Sequence, residues 1–238
     1  MKQIIKSIKH KIEQYLLVNS SRVYLYKYNQ KFASNIKSGS LVLDAGAGTA
    51  PYKELFDNFQ YETADKFDNS CTYVCDIVAI PVEDERFDYI LCNQVLEHLP
   101  EPKLALKELC RVLKPGGEIV CTIPFFYEEH LQPYDFYRYT QFGNYYLFQE
   151  AGFEIEKIEW LEGYFGTLAY QLEVAYKALP TTAISSSESW LTIVLSPFFV
   201  LCKALFLLLS AALYRLDLEI KFTSNGHPKN YTIVAKKA

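Results

Sequence analysis

Asp44, Gly46 and Gly48, in Leu41-Val42-Leu43-Asp44-Ala45-Gly46-Ala47-Gly48-Thr49-Ala50-Pro51, are the residues best suited by type and spacing to hold a small ligand. Three apolar residues end on a carboxylate. Two residues without a Cβ follow, so the backbone can bend sharply and approach a bound molecule closely. Pro51 suits the first turn of a helix after that bend. A dinucleotide-binding turn carries a third glycine where helix packs on strand; Pro51 stands in that place, which argues against a pyrophosphate. Acid recurs at the ends of the next two short runs, Tyr61-Glu62-Thr63-Ala64-Asp65 and Thr72-Tyr73-Val74-Cys75-Asp76. Carboxylates at strand C-termini, where open parallel sheets bind ligands, suit ribose hydroxyls and an amino group better than phosphate. The competing reading of Asp65 and Asp76 is that of strand-end caps and turn formers.

A second set of residues could move a proton. Histidine titrates near neutrality and can take a proton from a hydroxyl, which makes His98, in Glu97-His98, a candidate general base. The segment His130-Leu131-Gln132-Pro133-Tyr134-Asp135-Phe136-Tyr137-Arg138-Tyr139-Thr140 concentrates the same chemistry. One reading makes His130 or Asp135 the base on an acceptor hydroxyl, with Tyr137, Arg138 and Tyr139 shaping its pocket. The other is structural: Asp135 pairs with Arg138, Thr140 caps the next helix, and Glu97-His98 organises the helix entry at Leu99-Pro100-Glu101-Pro102. No metal site is expected, because Cys71 and Cys75 lack a second pair or a nearby histidine.

The elements that must position these residues alternate between strand and helix, the pattern of an α/β fold with a mainly parallel sheet. Strands are expected at about 41–45, 60–65, 72–76, 87–93, 117–123, 153–160 and 230–236. Helices are expected at about 101–113 and 140–151, with Pro115-Gly116-Gly117 stopping the first. Half of the 238 residues are hydrophobic, enough for a substantial core. The net charge of −4 argues against nucleic acid as a partner. The six cysteines show no paired spacing and read as reduced thiols of a cytoplasmic protein.

From about Leu41 to Ile158 the chain resembles the class I S-adenosylmethionine-dependent methyltransferases, close to the group called methyltransferase type 11. Besides the glycine turn, the resemblance rests on Phe87-Asp88-Tyr89-Ile90-Leu91-Cys92-Asn93-Gln94-Val95-Leu96-Glu97-His98-Leu99 and on Leu109-Cys110-Arg111-Val112-Leu113-Lys114-Pro115-Gly116-Gly117-Glu118-Ile119-Val120. It implies a Rossmann-like seven-stranded, mostly parallel sheet with an antiparallel last strand and helices on both faces. It implies S-adenosyl-L-methionine as cofactor: Asp44, Gly46 and Gly48 near its methionine part, Asp65 on the ribose, Asp76 and Ile77 on the adenine, Asn93 in further contact. A His-Pro-Asp-Arg-Tyr-Thr sequence like that of the 130s segment occurs in a subset of these methyltransferases, some associated with surface-polysaccharide biosynthesis. The expected acceptor is accordingly a small or lipid-linked molecule, a lipid-linked saccharide fitting best, methylated on oxygen or on nitrogen. The rival is a catalytically silent methyltransferase-like scaffold at a membrane.

The domain would run over 36–238, with one addition before it and one inside it. Residues 1–35 form an expected N-terminal helical extension; within it, 2–17 reads as a basic amphipathic helix that either covers the sheet or meets anionic lipid. A hydrophobic helical insert is expected over about 163–225, before the last strand. Leu191 to Leu213 is nearly all apolar, long enough for a membrane span, and broken by Pro197 and Lys203. A single crossing would put residues 230–236 across the bilayer from the sheet they complete. The remaining readings are peripheral membrane contact through 190–213, bent at Pro197, at the inner face of the membrane; burial in a homodimer interface; or a cap over the substrate pocket.

Overall fold

The computed structural model describes residues 19–180 and 190–238, with the backbone alone described for 190–196. The amphipathic helix expected over 2–17 lies outside the described residues. Two compact units emerge among the described residues: Tyr24–Leu161 with Pro228–Ala238, and 162–180 and 190–227 with 19–23.

The chain enters through α1 (Ser20–Asn35), whose first turn is capped by the Asn19 side chain accepting from the Arg22 N–H at 3.4 Å. The strands are β1 (Leu41–Ala45), β2 (Gln60–Asp65), β3 (Tyr73–Val74), β4 (Phe87–Asn93), β5 (Leu113–Pro124), β6 (Phe153–Trp160) and β7 (Asn230–Lys237). Between them lie α2 (Pro102–Val112) and α3 (Gln141–Glu150), with α4 (Tyr164–Ala178) and α5 (Trp190–Glu219) between β6 and β7. The sheet runs β3-β2-β1-β4-β5-β7-β6. β1 through β5 pair in parallel, while β7 is antiparallel to both β5 and β6. The Rossmann-like sheet implied by the resemblance is therefore the one observed.

Side chains alternate across a strand, so each strand feeds two cores. Val42, Leu91 and Val120 face Phe32, Ala33 and Ile36 of the α1 side. Leu43, Ile90 and Ile119 face Leu106 and Leu109 of α2 and Phe148 of α3 on the other. Leu106 and Leu109 are fully buried, each contributing about 1.5–3 kcal/mol relative to an exposed side chain. The strand order reverses between β1 and β4, and the crevice beside their C-terminal ends is where ligands bind in such sheets.

Three local expectations change. The helix after Pro51 is one 3-10 turn, Lys53–Phe56, with no side-chain cap, followed by Asp57 and Asn58, which favour turns. The third strand shrinks to Tyr73–Val74, leaving Asp76 beyond its end. Pro115-Gly116-Gly117 does not end the helix at 101–113, which is already over at Val112. Instead it makes a bulge inside β5: Leu113 pairs with Phe87 and the ladder resumes at Tyr89 with Glu118. Gly117 fits there because a Cβ would lie 2.9 Å from the Asp88 carbonyl.

In the second unit α4 and α5 run antiparallel. The Ser210 hydroxyl of α5 donates to the Ala169 carbonyl of α4 at 2.8 Å, and the Tyr214 hydroxyl to Glu173 at 2.8 Å. Asp217 sits against the start of α4, accepting from Gly163 N at 3.4 Å. A Cβ on Gly166 would stand 2.5 Å from the Asp217 Oδ2, so glycine there is a packing requirement. α5 is a continuous helix through Pro197.

Candidate active site

The turn after β1 is built by two positive-φ glycines, Gly46 at 75° and Gly48 at 50°. Gly46 donates to the Ala64 carbonyl at 2.7 Å, and a Cβ on it would collide with Val95 at 2.4 Å. Space beside Gly48 is open, with nothing within 4 Å of where a Cβ would stand. Asp65, at the end of β2, fastens this turn by accepting from Gly48 N at 3.0 Å, and holds its own loop through Phe67 N at 2.7 Å and Asp68 N at 3.1 Å. The cap reading of Asp65 therefore describes a real contact. Its two oxygens still offer lone pairs for ribose hydroxyls.

Asp44 is almost fully buried and accepts from the Tyr61 hydroxyl. Burial pushes its carboxyl up to about 6, the Tyr61 hydrogen bond opposes that rise, and the Asp65 charge adds to it. Such a carboxylate wants a cation, as the methionine part of S-adenosylmethionine would provide with its amino group. Asp76 pairs with Lys66 at 2.9 Å and accepts from Val78 N at 3.3 Å, while Ile77 packs into the core beside Ala64. Asn93 at the end of β4 donates to Asn29 at 3.3 Å and accepts from the Thr122 hydroxyl at 3.1 Å, leaving one hydrogen and one lone pair. The open glycine edge, the buried acid and the strand-end acid fit S-adenosylmethionine.

The 130s segment is anchored onto the turn after β4. Phe136 N donates to the Glu97 carbonyl at 2.8 Å, the Tyr137 hydroxyl to the Pro100 carbonyl at 3.0 Å, and His98 Nδ1 meets the Tyr134 carbonyl at 2.6 Å. His98 and His130 come together with ring centroids 4.7 Å apart. Burial, with the neighbouring His130 and Arg138 charges, holds His98 below its usual value. Glu97, singled out with His98 from the sequence, lies beside them. It is fully buried, neither carboxylate oxygen has a hydrogen-bond donor, and burial pushes it up to about 8.

Of the two readings of Asp135, the pairing with Arg138 is the one the geometry shows. Arg138 grips it through two 2.7 Å contacts, and its Oδ2 accepts from His130 N at 2.8 Å. The guanidinium keeps its carboxyl far below the usual carboxylate range, so Asp135 is a poor proton acceptor. Arg138 also donates to the carbonyls of Tyr127, Glu128 and Tyr137, which makes it the organiser of the loop. Thr140 caps α3 by accepting from Gly143 N at 3.1 Å. Tyr137 and Tyr139 stack at 5.4 Å, and burial raises the Tyr139 hydroxyl, which finds no partner among the described residues. Phe67 and Tyr134, 6.3 Å apart, are exposed rings at this edge, while Tyr127 packs edge-on against His130 at 5.2 Å with Lys229 over its ring. Tyr61 was missed by sequence reading, since only the parallel register of β1 with β2 brings it to Asp44.

Residues 43–121 match the family described as a methyltransferase domain. Demethylmenaquinone methyltransferase of Staphylococcus saprophyticus is 33% identical over 107 residues, covering 37% of this chain and 46% of that protein. The chain thus spans less than half the length of that curated relative. Among solved structures, phosphoethanolamine N-methyltransferase 2 of Haemonchus contortus with S-adenosyl-L-methionine superposes with a TM-score of 0.55 at 18% identity, over 90% of this chain and 52% of that one. A SAM dependent methyltransferase from Archaeoglobus fulgidus gives 0.55 at 17%, over 96% and 99%. At such identities these two speak for the fold alone. With the sheet order and the glycine turn in agreement, residues 43–121 carry a methyltransferase domain, set in the Rossmann-like fold of the class I S-adenosylmethionine-dependent methyltransferases.

Proposed function

We propose that this chain transfers a methyl group from S-adenosylmethionine to an oxygen of a lipid-linked acceptor, a saccharide carrier fitting best, at the inner face of a membrane. The observation that carries this reading is the juxtaposition, at one edge of the sheet, of the glycine cradle with a loop of open aromatic rings and imidazoles. S-adenosylmethionine, when bound, supplies an electrophilic methyl group, so the protein's work is positioning. Gly48 leaves room for close approach, Asp65 steadies the turn and Asp44 offers a buried negative charge. Phe67 and Tyr134 present flat apolar faces suited to the C–H faces of a sugar. Methylation of a hydroxyl releases a proton, and the cluster of His98, His130 and Glu97 is placed to handle it.

The lipid part rests on α5. Pro197–Glu219 has a mean hydropathy of 2.0 with only 17% of its apolar window buried. Phe198, Leu201, Leu205 and Leu208 are all at least half exposed. A contiguous apolar face of that kind needs a partner. The relatives named for demethylmenaquinone make a quinone the second acceptor to try.

Calorimetric titration of the folded chain with S-adenosylmethionine comes first; absence of binding leaves only a scaffold and overturns the enzyme reading. Transfer of labelled methyl is then followed into polyprenyl-linked saccharides and into demethylmenaquinone, side by side. Label in the saccharide is expected. Label in the quinone alone replaces the acceptor.

A further inference from the structure

Glu97, His98 and His130 each offer a ligand atom within 4.8 Å of the others, and they come from two separate loops at the ligand-binding edge, after β4 and after β5. The orientation of the imidazoles is the telling part. His98 Nδ1 lies 2.6 Å from the Tyr134 carbonyl, which can only accept, so Nδ1 carries the hydrogen and Nε2 keeps its lone pair. That Nε2 faces Glu97 Oε1 at 3.7 Å. His130 Nδ1 lies 3.2 Å from both the Glu128 carbonyl and the Asp135 carboxylate, again acceptors, while the Arg138 nitrogen at 3.5 Å is at the outer limit of contact. Its Nε2 is left with the lone pair as well. A carbonyl or carboxylate holding one ring nitrogen so that the other can bind is the arrangement that supports metal-bound histidines.

Glu97 supplies a second, independent indication. It is wholly buried with neither oxygen in a well-formed hydrogen bond, a costly state for its ionised form unless a cation binds there. The Arg138 charge acts on Glu97 from nearby, yet its hydrogen bonds go to Asp135 and to backbone carbonyls and none reaches the Glu97 oxygens. The two imidazole side chains stay partly open, at 16% and 29% exposure, so a cation held here would keep free positions toward solvent.

We propose that Glu97, His98 and His130 form a binding site for one divalent cation of the zinc, iron(II) and manganese class. Two imidazoles and one carboxylate with open positions is a donor set for such ions. Metal–ligand bonds of about 2.0–2.2 Å place tetrahedral ligand atoms roughly 3.3–3.6 Å apart. The Glu97–His98 pair at 3.7 Å is near that already. His130 closes the rest by side-chain rotation. Resting on the methyl-transfer reading, the cation's open face would take the acceptor hydroxyl and ease loss of its proton.

The test is titration of the chelator-treated chain with Zn²⁺ by calorimetry, and with Co²⁺ followed by its visible absorption. One equivalent per chain is expected, weakened at least tenfold in both E97Q and H130Q, while the affinity for S-adenosylmethionine is kept. Where E97Q does not fold, the partly exposed H130Q carries the comparison. No stoichiometric binding, or equal binding by the variants, overturns the metal site and leaves the methyltransferase reading standing. Loss of S-adenosylmethionine binding by the parent chain would instead overturn that reading.

Discussion

Asp44 shows how one buried acid can link cofactor binding to pH. Its folded value of about 6 stands above the ordinary carboxylate value, so the folded chain holds its proton where the unfolded chain has lost it. The sign follows: this group's contribution to stability is full below about 3.9 and is lost as pH rises through about 6. A cationic ligand prefers the ionised form. The affinity for S-adenosylmethionine should therefore rise between pH 5 and 7 and flatten above, and D44N should abolish that slope in calorimetric titrations across pH. Y61F removes the hydrogen bond that favours the anion and should move the midpoint upward. Asp65 acts through geometry. D65A leaves three backbone N–H groups without their acceptor, and S-adenosylmethionine affinity should fall at least tenfold, about 1.4 kcal/mol or more; unchanged affinity would remove Asp65 from the cofactor site.

Among the elements, α3 and α4 are bounded by single residues whose removal can be measured. T140A removes the acceptor for Gly143 N and should cost about 1 kcal/mol in urea unfolding. G166A places a methyl against Asp217 Oδ2 and should cost about 1–3 kcal/mol by overpacking; a neutral result would mean that α4 and α5 can part at no cost. At this scale much was legible. β6 falls at 153–160 as its alternation indicates, and Thr140 starts its helix as a capping residue should. The shortfalls have local causes too. Pro115-Gly116-Gly117 carries the same turn signal in a helix stop and in a strand bulge, and only the pairing of Leu113 with Phe87 distinguishes them.

For the molecule as a whole, the open question is what α5 meets. The exposed face of Phe198, Leu201, Leu205 and Leu208 should carry the full chain into the lipid fraction when floated with anionic liposomes, and L201E with L205E and L208E should leave it in the aqueous fraction. A dimer that stays in solution in the presence of liposomes would assign that face to a second copy. α5 is followed by β7, which pairs with β5 and β6. The strand that completes the sheet thus comes after the most apolar segment of the chain.

What the sequence by itself determined is the glycine turn after the first strand and the succession of strands along the chain. Asp44, Gly46 and Gly48 lie within five positions of one another, and strand alternation is a property of short runs. The tertiary structure decided the rest. Asp44 meets Tyr61 across 17 positions and His98 meets the Tyr134 carbonyl across 36. Such contacts depend on strand register and loop closure, which local residue patterns do not encode. The same folding buries Glu97 beneath two imidazoles and ties Asp135 to Arg138, turning a row of candidate bases into one acid without a donor, one engaged ion pair and two histidines with their Nε2 atoms free.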